Sequence, residues 1–241
     1  MLNNLRNLLY RPPQIPKTIE RFGSYDSNFC DAIRFTKSCG FAVEEPKWSP
    51  EDKLDTGGGF LEPALRAAGV SDVSKSALQC LKWSHYLAPY IERQLDRKAW
   101  ITVGQFWQGN CALYSPTWAE LREWSRRGIT ADDMQKNNRA GLNLHAWLTV
   151  DSGEIIEPTM MSTIATTNPK RYPHFRGSMG WGKPDTILSG YHYFPMAAGK
   201  AFTESIGEKS ELGILASNTK ELHTHSQALT FKGRAFNLLR S

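Results

Sequence analysis

The chain has 241 residues, of which 40% are hydrophobic and 22% are charged, so it is long enough to bury one sizeable core. Eight tryptophans and eleven phenylalanines argue against a disordered or fibrous protein. The net charge of +5 is mild and the basic residues are spread along the chain, whereas nucleic-acid binders usually cluster them. A nucleic-acid partner is therefore an alternative that the composition does not favour.

The four cysteines, Cys30, Cys39, Cys80 and Cys111, show no Cys-x2-Cys spacing of a zinc site. The opening residues alternate apolar and polar side chains, and this run is too short for a secretory signal or a membrane span. We therefore expect reduced thiols, no transmembrane segment and a cytoplasmic protein. A frayed terminus or short surface helix is expected at 2–10.

The first 60 residues are rich in proline and glycine and read as loops, apart from a short helix expected at 27–38. Apolar residues at helical spacing over 74–98 predict the strongest helix of the chain. Pro89 interrupts that pattern and predicts a kink or break near residue 88.

Next, a run of β-branched and aromatic residues at 100–107 predicts a strand. Gly109 and Asn110 signal a turn after it. A second helix is expected near 116–127, with Ser115 as its N-cap and Gly128 as its end.

The segment 142–157 predicts a β-hairpin with a tight turn at 151–153. The following stretch, 158–186, is rich in proline, glycine and threonine and reads as irregular, and 187–194 predicts another strand. This order of helices and strands predicts an α+β fold. Residues 214–240 are ambiguous.

The predicted hairpin carries two residues that suit cysteine-based catalysis. Such an enzyme needs a thiol, a histidine to move its proton, and a carboxylate or amide that orients the histidine. His145 lies on the first strand and Glu157 ends the second, twelve residues later. A tight hairpin can bring such positions together if the strand register allows it.

The block His145-Ala146-Trp147 followed by Glu157-Pro158-Thr159 resembles the transglutaminase-like core of the papain-like cysteine peptidase superfamily. The resemblance spans about 77–160 and implies a helix packed on an antiparallel sheet, the papain-like/transglutaminase-like core. It implies Cys80 as nucleophile, His145 as base and Glu157 as orienting acid, acting on an amide of a protein or peptide without a cofactor or metal.

The resemblance also divides the chain. It implies a loop-rich N-terminal extension at 1–73, a core at 74–165 and a C-terminal extension at 166–241 that packs on the core. Glu157 stands where the family usually has Asp, so a catalytically inactive binding or scaffold module is a second expectation.

Several supporting roles stay open. Cys111, in the segment before the second helix, is the alternative nucleophile, and Cys30 is a weaker one. Gln105 and Asn143 on neighbouring strands are candidate donors to an oxyanion. Trp147 has the same strand parity as His145 and is expected to shield it.

A metal site is not expected from the histidines. His223 and His225 would share one face of a strand, but no third ligand follows at a telling interval.

Overall fold

The structure is a computed structural model that describes residues 10–136 and 142–224, without the side chains of residues 135 and 136. These ranges contain eight α-helices and six β-strands. The helices are α1 Tyr25–Ser38, α2 Leu61–Ala67, α3 Cys80–Leu95, α4 Trp118–Arg127, α5 Ala131–Lys136, α6 Met160–Thr167, α7 Lys200–Glu208 and α8 Thr219–His223. The strands are β1 Ala99–Gln108, β2 Cys111–Tyr114, β3 His145–Val150, β4 Ile155–Glu157, β5 Gly180–Gly182 and β6 Tyr191–Ala198. Short 3-10 turns occupy Ile19–Arg21, Val73–Ser76 and Pro173–Phe175.

All six strands form one antiparallel sheet in the order β2-β1-β3-β4-β5, with β6 pairing β1 as well. Three strands pair with β1, which has only two edges. Because β6 runs along most of its length, β3 and β2 must share the other edge end to end. The predicted α+β class is confirmed.

The two faces of the sheet carry different packing because side chains alternate along each strand. One face packs Ile101, Leu148 and Ile156 against the apolar side of α3. The opposite face packs Phe106, Trp147, Ile155 and Tyr193 against α6 and the segment after it. His145 and Glu157 have the parity of this second face.

Helix α3 begins later than the 74–98 pattern predicts. Residues Val73–Ser76 form a separate 3-10 turn, and Leu78 has a φ of 62°, which a right-handed helix does not accommodate. Cys80 is therefore the first residue of the helix. The helix continues through Pro89, so the chain does not break there, although the proline removes one backbone hydrogen bond of the helix interior.

The start of α4 also differs from the prediction. Its N-cap is Thr117, because Thr117 and Glu120 form a reciprocal capping box, and Ser115 lies outside the helix. Gly128, with a φ of 80°, ends the helix as expected.

Other elements were missed or shifted. The stretch 158–186, for which the sequence predicts no element, contains helix α6 and strand β5. The strand expected at 187–194 begins later and becomes β6, at Tyr191–Ala198. The strand expected from 142 begins at His145.

Elements outside the expected 74–165 core also build the sheet and its cover. Strand β6 pairs β1 over seven residue pairs, and α1 packs Phe29 and Ile33 against Trp100 and Ala198. Within the described ranges, no helix combines the length and apolar character needed to cross a membrane. The terminus expected at 2–10 lies, except for Tyr10, outside the described residues.

Candidate functional site

Cys80 sits at the N-terminus of the central helix α3 and is half-buried. Its sulfur lies 3.7 Å from the backbone oxygen of Leu144, to which the thiol can donate. Gln79 is the N-cap but its side chain accepts no hydrogen bond from the first turn. The first N–H groups of an α-helix have no acceptor within the helix, so this end of α3 is suited to negative charge.

His145 is the first residue of β3 and follows Leu144, whose carbonyl contacts the Cys80 sulfur. It pairs with Gly104 of β1, and its side chain is only 1% exposed. Its ring is enclosed by aromatic rings: Tyr114 and Trp147 stack on it at 5.6 and 5.7 Å, and Phe106 lies 4.9 Å away. The imidazole is thus held in one orientation by packing.

Glu157 and His145 meet in the core, with 2.6 Å between Oε2 and Nε2. In the β3–β4 register Leu148 faces Ile156. One further step places Glu157 opposite Trp147, so that His145 is its diagonal neighbour on the same face. The register therefore meets the condition on which the predicted histidine–carboxylate contact depended.

The Glu157 carboxylate is fully buried and surrounded by donors. Oε1 accepts the backbone N–H groups of Thr159 and Met160, each at 3.0 Å, and the Thr159 hydroxyl at 3.2 Å. Oε2 accepts from His145 and from the Tyr193 hydroxyl, the latter at 3.1 Å. Glu157 thereby occupies the N-terminus of α6, where backbone N–H groups favour an anion.

The ionisation of the pair follows from these contacts. Burial lowers the pKa of His145, but the Glu157 carboxylate and the neighbouring Cys80 thiol outweigh it and raise that pKa to about 10. Burial raises the pKa of Glu157, yet His145 and the N–H groups of Thr159 and Met160 bring it below its ordinary value. Both groups are therefore charged at neutral pH, and Nε2–H donates to Oε2.

The second ring nitrogen of His145 is directed away from Glu157. Nδ1 is buried and has no direct hydrogen-bond partner among the described residues. Cys80 is the other side chain whose interaction with the ring raises the pKa of His145. The thiol lies against the carbonyl of Leu144, the residue before His145, so Cys80 and the imidazole are neighbours through the chain at the start of β3.

Trp147 is anchored as well as packed against His145. Its Nε1–H donates to the Tyr25 hydroxyl of α1 at 2.7 Å, and Tyr25 and Thr149 hydroxyls are 2.6 Å apart. This fixes the ring that stacks on the imidazole, in keeping with the expected shielding role.

Two residues of the site were not anticipated from the sequence. Tyr193 reaches Glu157 only because β6 pairs with β1, and Tyr25 reaches Trp147 only because α1 packs across the sheet. The alternation of Tyr191 and Tyr193 in a predicted strand was the one local signal for the first of them.

The two candidate oxyanion donors are bonded elsewhere. Gln105 follows the partner of His145 on β1, so its side chain points to the other face, where it bonds the Pro116 carbonyl and the indole of Trp107. Asn143 accepts from the Ser115 N–H at 3.0 Å and donates to the Ser115 carbonyl at 3.2 Å. Both link neighbouring segments.

The alternative cysteines are placed differently from Cys80. Cys111 is exposed, begins β2 instead of lying in a loop, and pairs with Gln108. Gln108 is four residues along β1 from the partner of His145, which corresponds to about 13 Å. Cys30 lies within α1, directly after the buried Phe29, and is itself half-buried.

A metal centre does not arise from the described residues: within 10–136 and 142–224, no three His, Cys, Asp or Glu side chains are grouped to hold a metal ion. His223 ends the short helix α8, and its expected companion His225 lies outside the described residues.

A cavity of about 380 Å³ lies beside β5 and is lined by Leu54, Met161, Trp181 and Ile187 among others. Cys80 does not contribute to that lining.

Comparisons were made with protein-family models, with curated proteins and with solved structures, and none of them matches this chain.

Proposed function

We propose that this chain is a cysteine-dependent enzyme of amide chemistry, a peptidase, amidase or acyltransferase, built on a papain-like or transglutaminase-like core. The observation that supports the proposal is the buried contact of His145 Nε2 with Glu157 at 2.6 Å. Beside it, the Cys80 sulfur at the N-terminus of α3 lies 3.7 Å from the carbonyl of Leu144, the residue before His145. This is the arrangement that a thiol nucleophile with an oriented base requires.

In this mechanism Cys80 is the nucleophile. Its sulfur, as thiolate, attacks the carbonyl carbon of a peptide or side-chain amide while His145 holds the proton as imidazolium. His145 then gives that proton to the departing nitrogen as the C–N bond breaks, leaving a thioester on Cys80. Water, or an amine in acyl transfer, gives a proton back to His145 and attacks the thioester, which restores the thiolate–imidazolium pair.

Glu157 orients the imidazole and stabilises its charge. Thr159, Met160 and Tyr193 also donate to its two oxygens, and these bonds fix the orientation in which the carboxylate accepts from His145. The extra methylene relative to Asp is accommodated because the carboxylate is drawn to the N-terminus of α6.

Oxyanion stabilisation is assigned to the backbone. The N–H groups of Cys80 and Leu81 belong to the first turn of α3 and have no acceptor within the helix. They lie beside the reacting sulfur, whereas the amides of Gln105 and Asn143 bond other groups. Backbone donors at a helix N-terminus are a common solution for such a charge.

A non-catalytic binding or scaffold module is the second candidate. The specific observation in its favour is the 1% exposure of His145, since a fully enclosed ion pair can serve the fold alone. Cys80, being half-buried, is the group whose chemistry separates the two candidates.

A peptide bearing a vinyl sulfone, which alkylates activated thiols irreversibly, tests the proposal. We expect mass-spectrometric mapping to find the adduct on Cys80 and labelling to disappear in Cys80→Ala. The variant Cys111→Ala is the matched control and should label as the wild type does. An adduct confined to Cys111, or no adduct on the folded protein, would contradict the proposal and favour the non-catalytic module.

A further inference from the structure

The residue two positions before Cys80 has a backbone conformation that leucine rarely adopts. Leu78 has a φ of 62°, and it is one of two non-glycine residues with positive φ among the described residues. Such a conformation is unfavourable for a side chain with a Cβ and persists only where the surroundings hold it. The chain uses it to leave the turn at Val73–Ser76 and enter α3 at Cys80.

The group that holds Leu78 comes from another element. The Leu78 N–H donates to the hydroxyl of Thr163 on α6 at 2.9 Å, across 85 residues of sequence. The same hydroxyl donates to the Thr159 carbonyl at 2.9 Å, so its proton position is fixed. Thr163 is only 7% exposed, and water therefore competes poorly for the bond.

Thr163 belongs to the helix that Glu157 caps. Thr159, which receives the Thr163 hydroxyl, itself donates its N–H and hydroxyl to Glu157 Oε1. A continuous set of hydrogen bonds thus leads from Leu78 through Thr163 and Thr159 to Glu157, and from there to His145. Helix α6 therefore forms hydrogen bonds both to the segment that enters α3 and to the orienting carboxylate.

A second bond ties the same two segments. The hydroxyl of Ser162 donates to the Val73 carbonyl at 3.4 Å and accepts the Gly177 N–H at 3.0 Å. Because that bond keeps α6 near the 3-10 turn, loss of the Thr163 hydroxyl is expected to loosen Leu78 without detaching the helix.

We propose that Thr163 is a positioning residue, whose hydroxyl holds Leu78 in its left-handed conformation and thereby places the Cys80 sulfur beside His145. The proposal rests on the function assigned to Cys80. It adds a role for α6. The N-terminus of this helix binds the orienting acid Glu157, and Thr163, in its next turn, sets the position of the nucleophile.

The test compares Thr163→Val, which keeps the shape and removes the hydroxyl, with Thr163→Ser, which keeps the hydroxyl. Thr167→Val is the matched control, since within the described ranges that hydroxyl bonds the Thr163 and Ile164 carbonyls of its own helix. The readouts are hydrogen exchange at the Leu78 amide, the titration of His145 by NMR, and the rate of Cys80 alkylation by iodoacetamide as a function of pH.

We expect Thr163→Val to speed exchange at the Leu78 amide and to lower the pKa of His145, because Cys80 no longer supports its charge. Cys80 alkylation below neutral pH should slow by about ten- to a hundredfold, the effect of misplacing a reacting group by about 1 Å. Thr163→Ser and Thr167→Val should match the wild type in all three readouts.

Unchanged hydrogen exchange at the Leu78 amide in a folded Thr163→Val protein would overturn the proposal. Faster exchange there would also overturn it if the His145 titration and the pH dependence of Cys80 alkylation stayed as in the wild type. Failure of the function itself gives a different result: a wild-type Cys80 no more reactive than Cys111. In that case exchange at Leu78 and the His145 titration still decide whether Thr163 positions the sulfur.

Discussion

Glu157 accepts a hydrogen bond from His145 at 2.6 Å through one oxygen and binds the first N–H groups of α6 through the other. The carboxylate is therefore both the partner of the imidazole and the cap of a helix. Removing its charge therefore affects the imidazole and the start of α6 at once.

Glu157→Gln should destabilise the fold strongly. It leaves a buried imidazole without its counter-charge, and breaking one partner of a buried pair costs about 3–5 kcal/mol. Urea unfolding measures the change. Glu123→Gln is the control, because Glu123 pairs with Arg127 on an exposed helix surface and its loss should cost less than about 1 kcal/mol. Equal effects of the two changes would refute a charged pair in the core.

The contribution of the pair should depend on pH in a definite direction. The pKa of His145 is raised from 6.5 to about 10, so its share of the stability is complete below 6.5 and is lost as the pH rises through 10. The pKa of Glu157 is lowered from 4.5, so its share is present above 4.5 and is lost on acidification.

Accordingly, the difference in Tm between the wild type and Glu157→Gln should be largest between pH 4.5 and 6.5 and should shrink towards pH 10. Thermal unfolding across that range measures it. A difference that grows with rising pH would mean that His145 is neutral in the folded protein.

Tyr193→Phe removes one donor from the Glu157 carboxylate and leaves the ring in place. A hydrogen bond to a charged group contributes about 1.5–3 kcal/mol, and a loss of this size is expected in urea unfolding. Tyr191→Phe, on the same strand, is the control and should have a smaller effect. If Tyr193→Phe left the stability unchanged, Tyr193 would not support the carboxylate.

Some of this site follows from the sequence and some does not. The spacing of His145 and Glu157 in a predicted hairpin made their contact possible, and the strand register, which the sequence did not give, decides it. Tyr193, Tyr25 and Thr163 reach the site through pairing and packing between distant segments, which residue patterns do not reveal. Helix α6 was not predicted, because its threonines and the prolines that flank it are typical of loops.

The helix boundaries show the same limit. The apolar pattern over 74–98 continues upstream of Cys80, but the positive φ of Leu78 interrupts the helix there. Leucine has no preference for that conformation, and the bond from its N–H to Thr163 is a tertiary contact that a sequence pattern does not reveal.

The cap of α4 gives a separate check of the fold. Thr117→Ala should destabilise the protein by about 1 kcal/mol, because it removes one half of the capping box with Glu120. Ser115→Ala should change the stability by less than about 0.5 kcal/mol, as a residue outside the helix. The reverse order in chemical denaturation would place the cap at Ser115.

We propose Cys80 as an activated nucleophile beside a charged His145. The most direct measurement is the rate at which iodoacetamide alkylates each cysteine of the folded protein at about pH 6, where ordinary thiols are almost entirely protonated. Cys80 is expected to react at least about tenfold faster than the exposed Cys111 and to lose that advantage in Glu157→Gln. A Cys80 that reacts more slowly than Cys111 at that pH, in a protein that remains folded, would contradict the account.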